Sequence, residues 1–158
     1  MGNFVTLMVA FSALATGALF ASPKLAEEMV RAHNSVRAGV GSDPLTWSEQ
    51  LAGSAQEWAN TLVRRGQFAH RPNSNYGENL YEITGGFASA EDVVDAWAGE
   101  SRDYSYRSNS CRGVCGHYTQ IVWADTRRVG CAVARGHGRE IWVCEYDPPG
   151  NWVGRRPW

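Results

Sequence analysis

The segment from Val129 to Tyr146 limits the fold more than any other part of the chain. Two runs rich in apolar residues, Val129 to Arg135 and Arg139 to Tyr146, flank Gly136, His137 and Gly138. A two-residue loop of this kind needs positive backbone φ angles, which glycine supplies freely, and it joins antiparallel strands with the correct twist. With His137 and Gly138 as the turn, Arg135 stands opposite Glu140, Val133 opposite Trp142 and Cys131 opposite Cys144. The first two are favourable cross-strand neighbours. Counting outward from the closing pair Gly136 and Arg139, the cysteines form a non-hydrogen-bonded pair, where α-carbons approach to about 4.5 Å and a bridge is feasible. The chain is therefore expected to contain an antiparallel hairpin stapled across its own strands.

Four cysteines allow three connectivities. A Cys131–Cys144 bridge leaves Cys111 and Cys115 to each other, closing a tight loop through Arg112, Gly113 and Val114. Disulfides imply an oxidising compartment, and the N-terminus agrees. Val5 to Phe20 carries no charge, is short for a membrane span, and is followed by the small residues Ala21 and Ser22 before Pro23 and Lys24 open ordinary sequence. Met1 to Ser22 is accordingly read as a signal peptide and residues 23–158 as one mature, secreted domain, monomeric and without a stable membrane span. A formal net charge of −1 gives no global field to steer the molecule toward nucleic acid, which is excluded as a partner.

The remaining periodicities are helical. Pro23, capped by Ser22, opens a first helix whose Leu25, Met29, His33 and Val36 share a face until Gly39. Thr46 and Glu49 read as a capping box for a second, with Leu51, Ala55, Trp58, Ala59, Leu62 and Val63 at helical spacing, basic Arg64 and Arg65, and Gly66 as terminator. Ser89 ahead of Glu91 and Asp92 starts a third, expected to run to about Tyr104 with Val93, Val94, Ala96 and Trp97 inward. Between the second and third helices, Arg71 to Gly86 is a long connection with a short strand at Leu80 to Ile83, and Gly116 to Trp123 is expected to form a short helix. Helices around a mainly antiparallel central sheet give an α+β class and a three-layer α-β-α sandwich.

Gly116-His117-Tyr118-Thr119-Gln120-Ile121-Val122-Trp123 resembles the most diagnostic signature of the CAP superfamily of cysteine-rich secretory, antigen 5 and pathogenesis-related class one proteins. His33-Asn34-Ser35-Val36-Arg37, Gly77-Glu78-Asn79-Leu80 and the run Ile141 to Trp152 resemble three further elements in the family's order. The tail Pro148 to Trp158, with its Pro-Pro-Gly-Asn start and Arg-Pro-aromatic end, looks most like plant pathogenesis-related class one proteins. Against that group the chain lacks a cysteine near Gly66 and Gln67 and another near Gly136, which the resemblance implies is one bridge missing as a unit. Glu145 also stands where relatives usually carry a neutral or basic polar side chain.

The resemblance implies a cleft tetrad of His70, Glu78, Glu100 and His117. Two neutral imidazoles suit a borderline divalent metal such as Zn2+, and carboxylates either ligate directly or hold the second ring nitrogen. No local ligand spacing marks this set, so the metal reading rests on the family. The same four residues equally form two metal-free His–Glu pairs. His33 and Asn34 are expected to tie the first helix to neighbouring backbone, and His137 to be a turn residue. No catalytic nucleophile constellation is recognisable: there is no GxSxG and no Ser/His/Asp pattern. The favoured function is a secreted, non-enzymatic binding or defence module for a small apolar ligand such as a sterol or lipid. The alternatives are a zinc-dependent hydrolase using the tetrad and a precursor of a C-terminal signalling peptide.

Overall fold

The computed structural model of the protein describes residues 22–158, so the expected signal peptide lies, apart from Ser22, outside the described residues. Helix α1 spans Pro23–Ala38. Ser22 Oγ accepts from Leu25 N at 3.2 Å and Pro23 occupies the first turn, as the sequence predicts. Helix α2, Glu49–Arg65, ends at Gly66 in the left-handed conformation, φ 62°. Strand β2 is Gly77–Thr84, longer than expected, and α3 is Ala90–Ala98, opened by a Ser89/Asp92 capping box. Then come a 3-10 turn Gly99–Asp103, the short strands β3 Tyr104–Ser105 and β4 Ser110–Cys111, helix α4 Gly116–Ile121, and strands β5 Arg128–Gly136 and β6 Arg139–Asp147.

Two expectations about helix ends fail. Thr46 does not cap α2, because Thr46–Trp47 forms an extended strand, β1, parallel to β5. Thr46 N and Ser48 N donate to Arg127 O and Val129 O, which fixes that backbone in the sheet, and Ser48 becomes the cap by accepting from Leu51 N. The third helix also stops short of Tyr104: at Gly99 it tightens into the 3-10 turn, and Glu100 sits within that turn rather than on an α-helical face.

The main sheet has the order β1-β5-β6-β2, antiparallel except for β1 against β5. Alternation along its strands splits the core in two. Ala132, Ala134, Ile141, Val143 and Leu80 pack with Ala55, Trp58, Ala59, Leu62 and Val63 of α2. Val129, Cys131, Trp142, Cys144 and Tyr146 face the other way, onto Met29 of α1, Val93, Val94 and Trp97 of α3, and Tyr118 and Ile121 of α4. Burial on both faces explains why β5 and β6 read as nearly continuous apolar runs, and the result is the three-layer sandwich. Gly130 marks where α2 lies hard against β5, since a Cβ there would meet Ala52 N at 2.2 Å and Leu51 Cβ at 2.6 Å.

The hairpin has the register read from the sequence, with Cys131 opposite Cys144, Val133 opposite Trp142 and Arg135 opposite Glu140. The bridges are Cys131–Cys144 and Cys111–Cys115. At the far end of α1, Asn34 and Leu45 exchange two hydrogen bonds, and buried Arg37 donates to the carbonyls of Asp43, Ile121, Trp123 and Thr126. The Ile121 carbonyl lies at the C-terminal end of α4 and the others lie in the adjoining loops; Trp123 O also accepts from Thr126 N, and the one guanidinium supplies donors to all four. Among the described residues no helix is long and apolar enough to cross a membrane.

Candidate functional site

Three consecutive residues at the start of edge strand β2 organise the site. Gly77 is where the α4 side chain Gln120 comes closest, as a Cβ there would lie 2.1 Å from Gln120 Oε1. Glu78 faces α2 and Asn79 faces α4, by the pleat of the strand. Glu78 Oε1 accepts from His70 Nδ1 at 2.6 Å and from Arg71 N at 3.1 Å. His70 follows the end of α2 in a segment held by Trp58, whose Nε1 donates to Ala69 O. On the other side, Asn79 Nδ2 donates to His117 O and to the hydroxyl oxygen of Tyr146.

His117 and Glu100 make a second pair of the same kind. Glu100 Oε1 lies 2.6 Å from His117 Nδ1, while its Oε2 accepts from His117 N and Tyr118 N. Cys115 offers α4 no side-chain cap, so Glu100 satisfies amides at that helix start from outside. Trp97 stacks on the His117 ring with centroids 6.0 Å apart, and its own Nε1 donates to Leu80 O.

The four residues implied by the family resemblance thus form two acid–imidazole pairs. In both, the carboxylate meets Nδ1, which leaves Nε2 as the ring nitrogen not held by the acid. The Glu78 pairing raises the His70 pKa above its ordinary value, first through the hydrogen bond and further through the carboxylate charge, with partial burial opposing both. Glu78 Oε2 is buried and has no partner within the protein. Among the described residues, the one group of three or more metal-type donors with ligand atoms within 4.8 Å of one another is His33, Cys131 and Cys144. Its sulfurs are joined in a disulfide and both His33 nitrogens are engaged, so it offers no thiolate and no free imidazole.

Behind the site a polar chain runs from α1 to the sheet edge. Met29 O can only accept, so His33 Nδ1 carries the hydrogen and Nε2 accepts from the Tyr146 hydroxyl at 2.8 Å. Tyr146 in turn accepts from Asn79, which holds the His117 carbonyl. Burial, assisted by the nearby Arg37 charge and opposed by the Met29 hydrogen bond, pushes the His33 pKa down to about 4. His33 is therefore a neutral structural link. His137 occupies the hairpin turn at φ 53°.

Glu145 is the acidic side chain at which the sequence departs from the family resemblance. It lies opposite Glu78 in the β2–β6 register and is fully buried on the α2 face. Its Oε1 accepts from Ser54 Oγ and lies 3.6 Å from Arg71 Nη1, while its Oε2 has no partner. Burial raises its pKa above the usual carboxylate value. A cavity of about 520 Å3 opens beside the His117 pair rather than between the pairs, lined by Tyr104, Val114, Gly116, Trp123, Trp152 and residues of the C-terminal tail.

Comparison with known proteins agrees with this architecture. Pathogenesis-related protein 1A of Nicotiana tabacum is 44% identical over 135 residues, covering 84% of this chain and 80% of that protein. The structure of Schistosoma mansoni venom allergen-like protein 4 superposes with a TM-score of 0.69 at 26% identity, covering 86% of this chain and 94% of that one. A structure of NaASP2 with Zn2+ gives a TM-score of 0.69 at 22% identity, covering 87% and 86%. Residues 30–146 match the CAP family, described as the cysteine-rich secretory protein family, and the chain belongs to it.

Proposed function

We propose that the protein is a secreted, non-enzymatic defence-type binding module whose cleft takes a divalent metal such as Zn2+ and whose neighbouring cavity takes a small apolar ligand such as a sterol or lipid. The observation that carries the metal reading is the matched use of Nδ1. A carboxylate behind each ring fixes the tautomer and leaves Nε2 of His70 and His117 to bind, with Glu78 and Glu100 as the supporting acids. Two imidazoles suit a borderline ion, and the unpartnered buried oxygen of Glu78 adds negative potential close by. A metal bound there would supply positive charge to hold an anionic or polar group of a ligand. Among the relatives, NaASP2 has been solved with Zn2+.

The defence role draws on the 44% identity to a pathogenesis-related protein. Support for an apolar ligand comes from the cavity walls Tyr104, Trp123 and Trp152, with Val114 and Trp152 exposed at its mouth. Secretion accords with the two disulfides. Calorimetric titration with zinc near neutral pH tests the metal site. Binding at micromolar or tighter affinity is expected, lost in both His70→Ala and His117→Ala. Absence of binding to the wild-type chain, or binding untouched by both variants, removes the metal from the function and leaves two structural pairs.

A further inference from the structure

The Trp158 side chain is seated in a socket of three tyrosines. The Trp158 indole stacks on Tyr106 with centroids 4.7 Å apart and planes at 21°, leans on Tyr104 at 5.8 Å, and meets Tyr118 edge-on at 6.0 Å. The Tyr106 hydroxyl donates to Trp158 O at 2.6 Å. The guanidinium of Arg156 lies over the Tyr106 ring at 5.6 Å, and Arg156 also donates to Tyr106 O and Arg107 O. Pro157 is buried, its carbonyl accepting from Ala124 N, while Trp158 itself remains half-buried.

The walls of this socket do not belong to the tail. Tyr118 lies in α4 next to His117, and Tyr104 follows the 3-10 turn that carries Glu100. Tyr104 and Tyr118 are themselves in ring contact at 6.3 Å, so part of the aromatic surface is assembled without Trp158. Burial raises the pKa of both phenols, which keeps them neutral and apolar at physiological pH. Tyr104 also lines the 520 Å3 cavity, together with Pro157 and Arg155 of the tail.

From this geometry we infer that the Tyr104–Tyr106–Tyr118 socket is a binding site for a planar aromatic ligand bearing a hydrogen-bond acceptor, and that Trp158 is its resident, displaceable occupant. Stacking on Tyr106 selects a flat ring, the edge-on Tyr118 limits its width, and the Tyr106 hydroxyl reads a carbonyl or carboxylate at the place now held by Trp158 O. A tethered occupant competes at a high effective concentration, so a free ligand binds the intact chain with its affinity reduced by the fraction of time the socket is open. The inference concerns a different surface from the His70 and His117 Nε2 atoms and stands whether or not metal binds there.

The test uses the full chain carrying Trp158→Ala, with N-acetyl-tryptophanamide as the probe and tyrosine side-chain resonances followed by NMR. Saturable binding is expected, at least about tenfold tighter than to wild type, and lost when Tyr106→Ala is added. A non-planar probe of similar size, N-acetyl-cyclohexylalaninamide, is expected to bind several-fold more weakly. Equal affinity of wild type and Trp158→Ala, or no uptake by a variant with unchanged circular dichroism, overturns the site; equal binding of the two probes overturns the ligand class. Should Trp158→Ala fail to fold, Trp158→Leu keeps an apolar anchor while removing the stacked ring, and no gain in probe binding by that folded variant overturns the inference.

Discussion

Acid should unfold this protein partly through His33. The ring is completely buried, donates to Met29 O and accepts from Tyr146, and its pKa in the folded chain is about 4 against an ordinary 6.5. Below the ordinary value the unfolded chain binds a proton that the folded chain refuses, so stability falls as pH drops from 6.5 toward 4 and levels off beneath that. At 1.36 kcal/mol per unit, the loss is about 2 kcal/mol at pH 5 and about 3 kcal/mol at pH 4. Carboxylates titrate in the same range, so the quantity to isolate is a difference. Urea unfolding of wild type and His33→Gln at pH 7, 5 and 4 supplies it. The variant should start less stable at pH 7, having lost a fitted ring, yet lose about 3 kcal/mol less than wild type on going to pH 4. Parallel curves for the two proteins would show that His33 is not held neutral by the fold, and the hydrogen assignments along the chain to Asn79 would fall with it.

Arg37→Met should cost about 3 kcal/mol in urea unfolding at pH 7, because it leaves the buried carbonyls of Ile121 and Thr126 without the guanidinium and removes one of the two donors to Trp123 O. A cost under about 1 kcal/mol would mean that water replaces the guanidinium. The His70 ring should titrate by NMR above the ordinary histidine value, and Glu78→Gln should bring it back down. Since the raised pKa marks a protonated ring favoured by folding, the ion-pair stabilisation is present at low pH and lost as pH rises through the folded value; zinc, competing with that proton, should bind more tightly over the same rise. Glu145→Gln should melt higher than wild type at pH 7, because a buried carboxyl with a raised pKa disfavours folding once ionised, and the advantage should vanish at pH 4. A lower melting temperature at pH 7 would show that the Arg71 contact outweighs desolvation.

How far the sequence could be read depended on whether the deciding interaction was local. The β5–β6 register followed from one turn and one possible cysteine pair, both within a single hairpin. The caps at Ser22, Gly66 and Ser89 were equally legible, each being a bond within one turn of backbone. The Thr46 cap misled because a capping-box pattern is local while β1 is made by Arg127 and Val129, eighty residues onward. The partners of the tetrad are eight residues apart for His70 with Glu78 and seventeen for Glu100 with His117. No helical or strand period spans those gaps, which is why only the family resemblance gathered the four residues. The Trp158 socket had no signal at all, being the meeting of the tail with side chains some fifty residues upstream.

Edge strand β2 makes the two halves of the site depend on one another. Successive side chains of a strand leave on opposite faces, so Glu78 reaches His70 beneath α2 while Asn79 reaches the His117 carbonyl on the α4 side. A slip of one residue in the β2–β6 register would exchange the two and disconnect both. The register is held by the paired strand and by Gly77, which leaves room for Gln120, whose Oε1 also accepts from Gly150 N at the start of the tail. From the other direction, Asn79 is fixed by Tyr146 and, through it, by His33 of α1. The spacing of the two imidazoles is thus set by the sheet edge and by a buried chain reaching α1, not by contact between the histidines. Tyr146→Phe, by loosening Asn79, should therefore weaken zinc binding at the proposed site in calorimetric titration while both His–Glu pairs, followed by histidine NMR, stay intact.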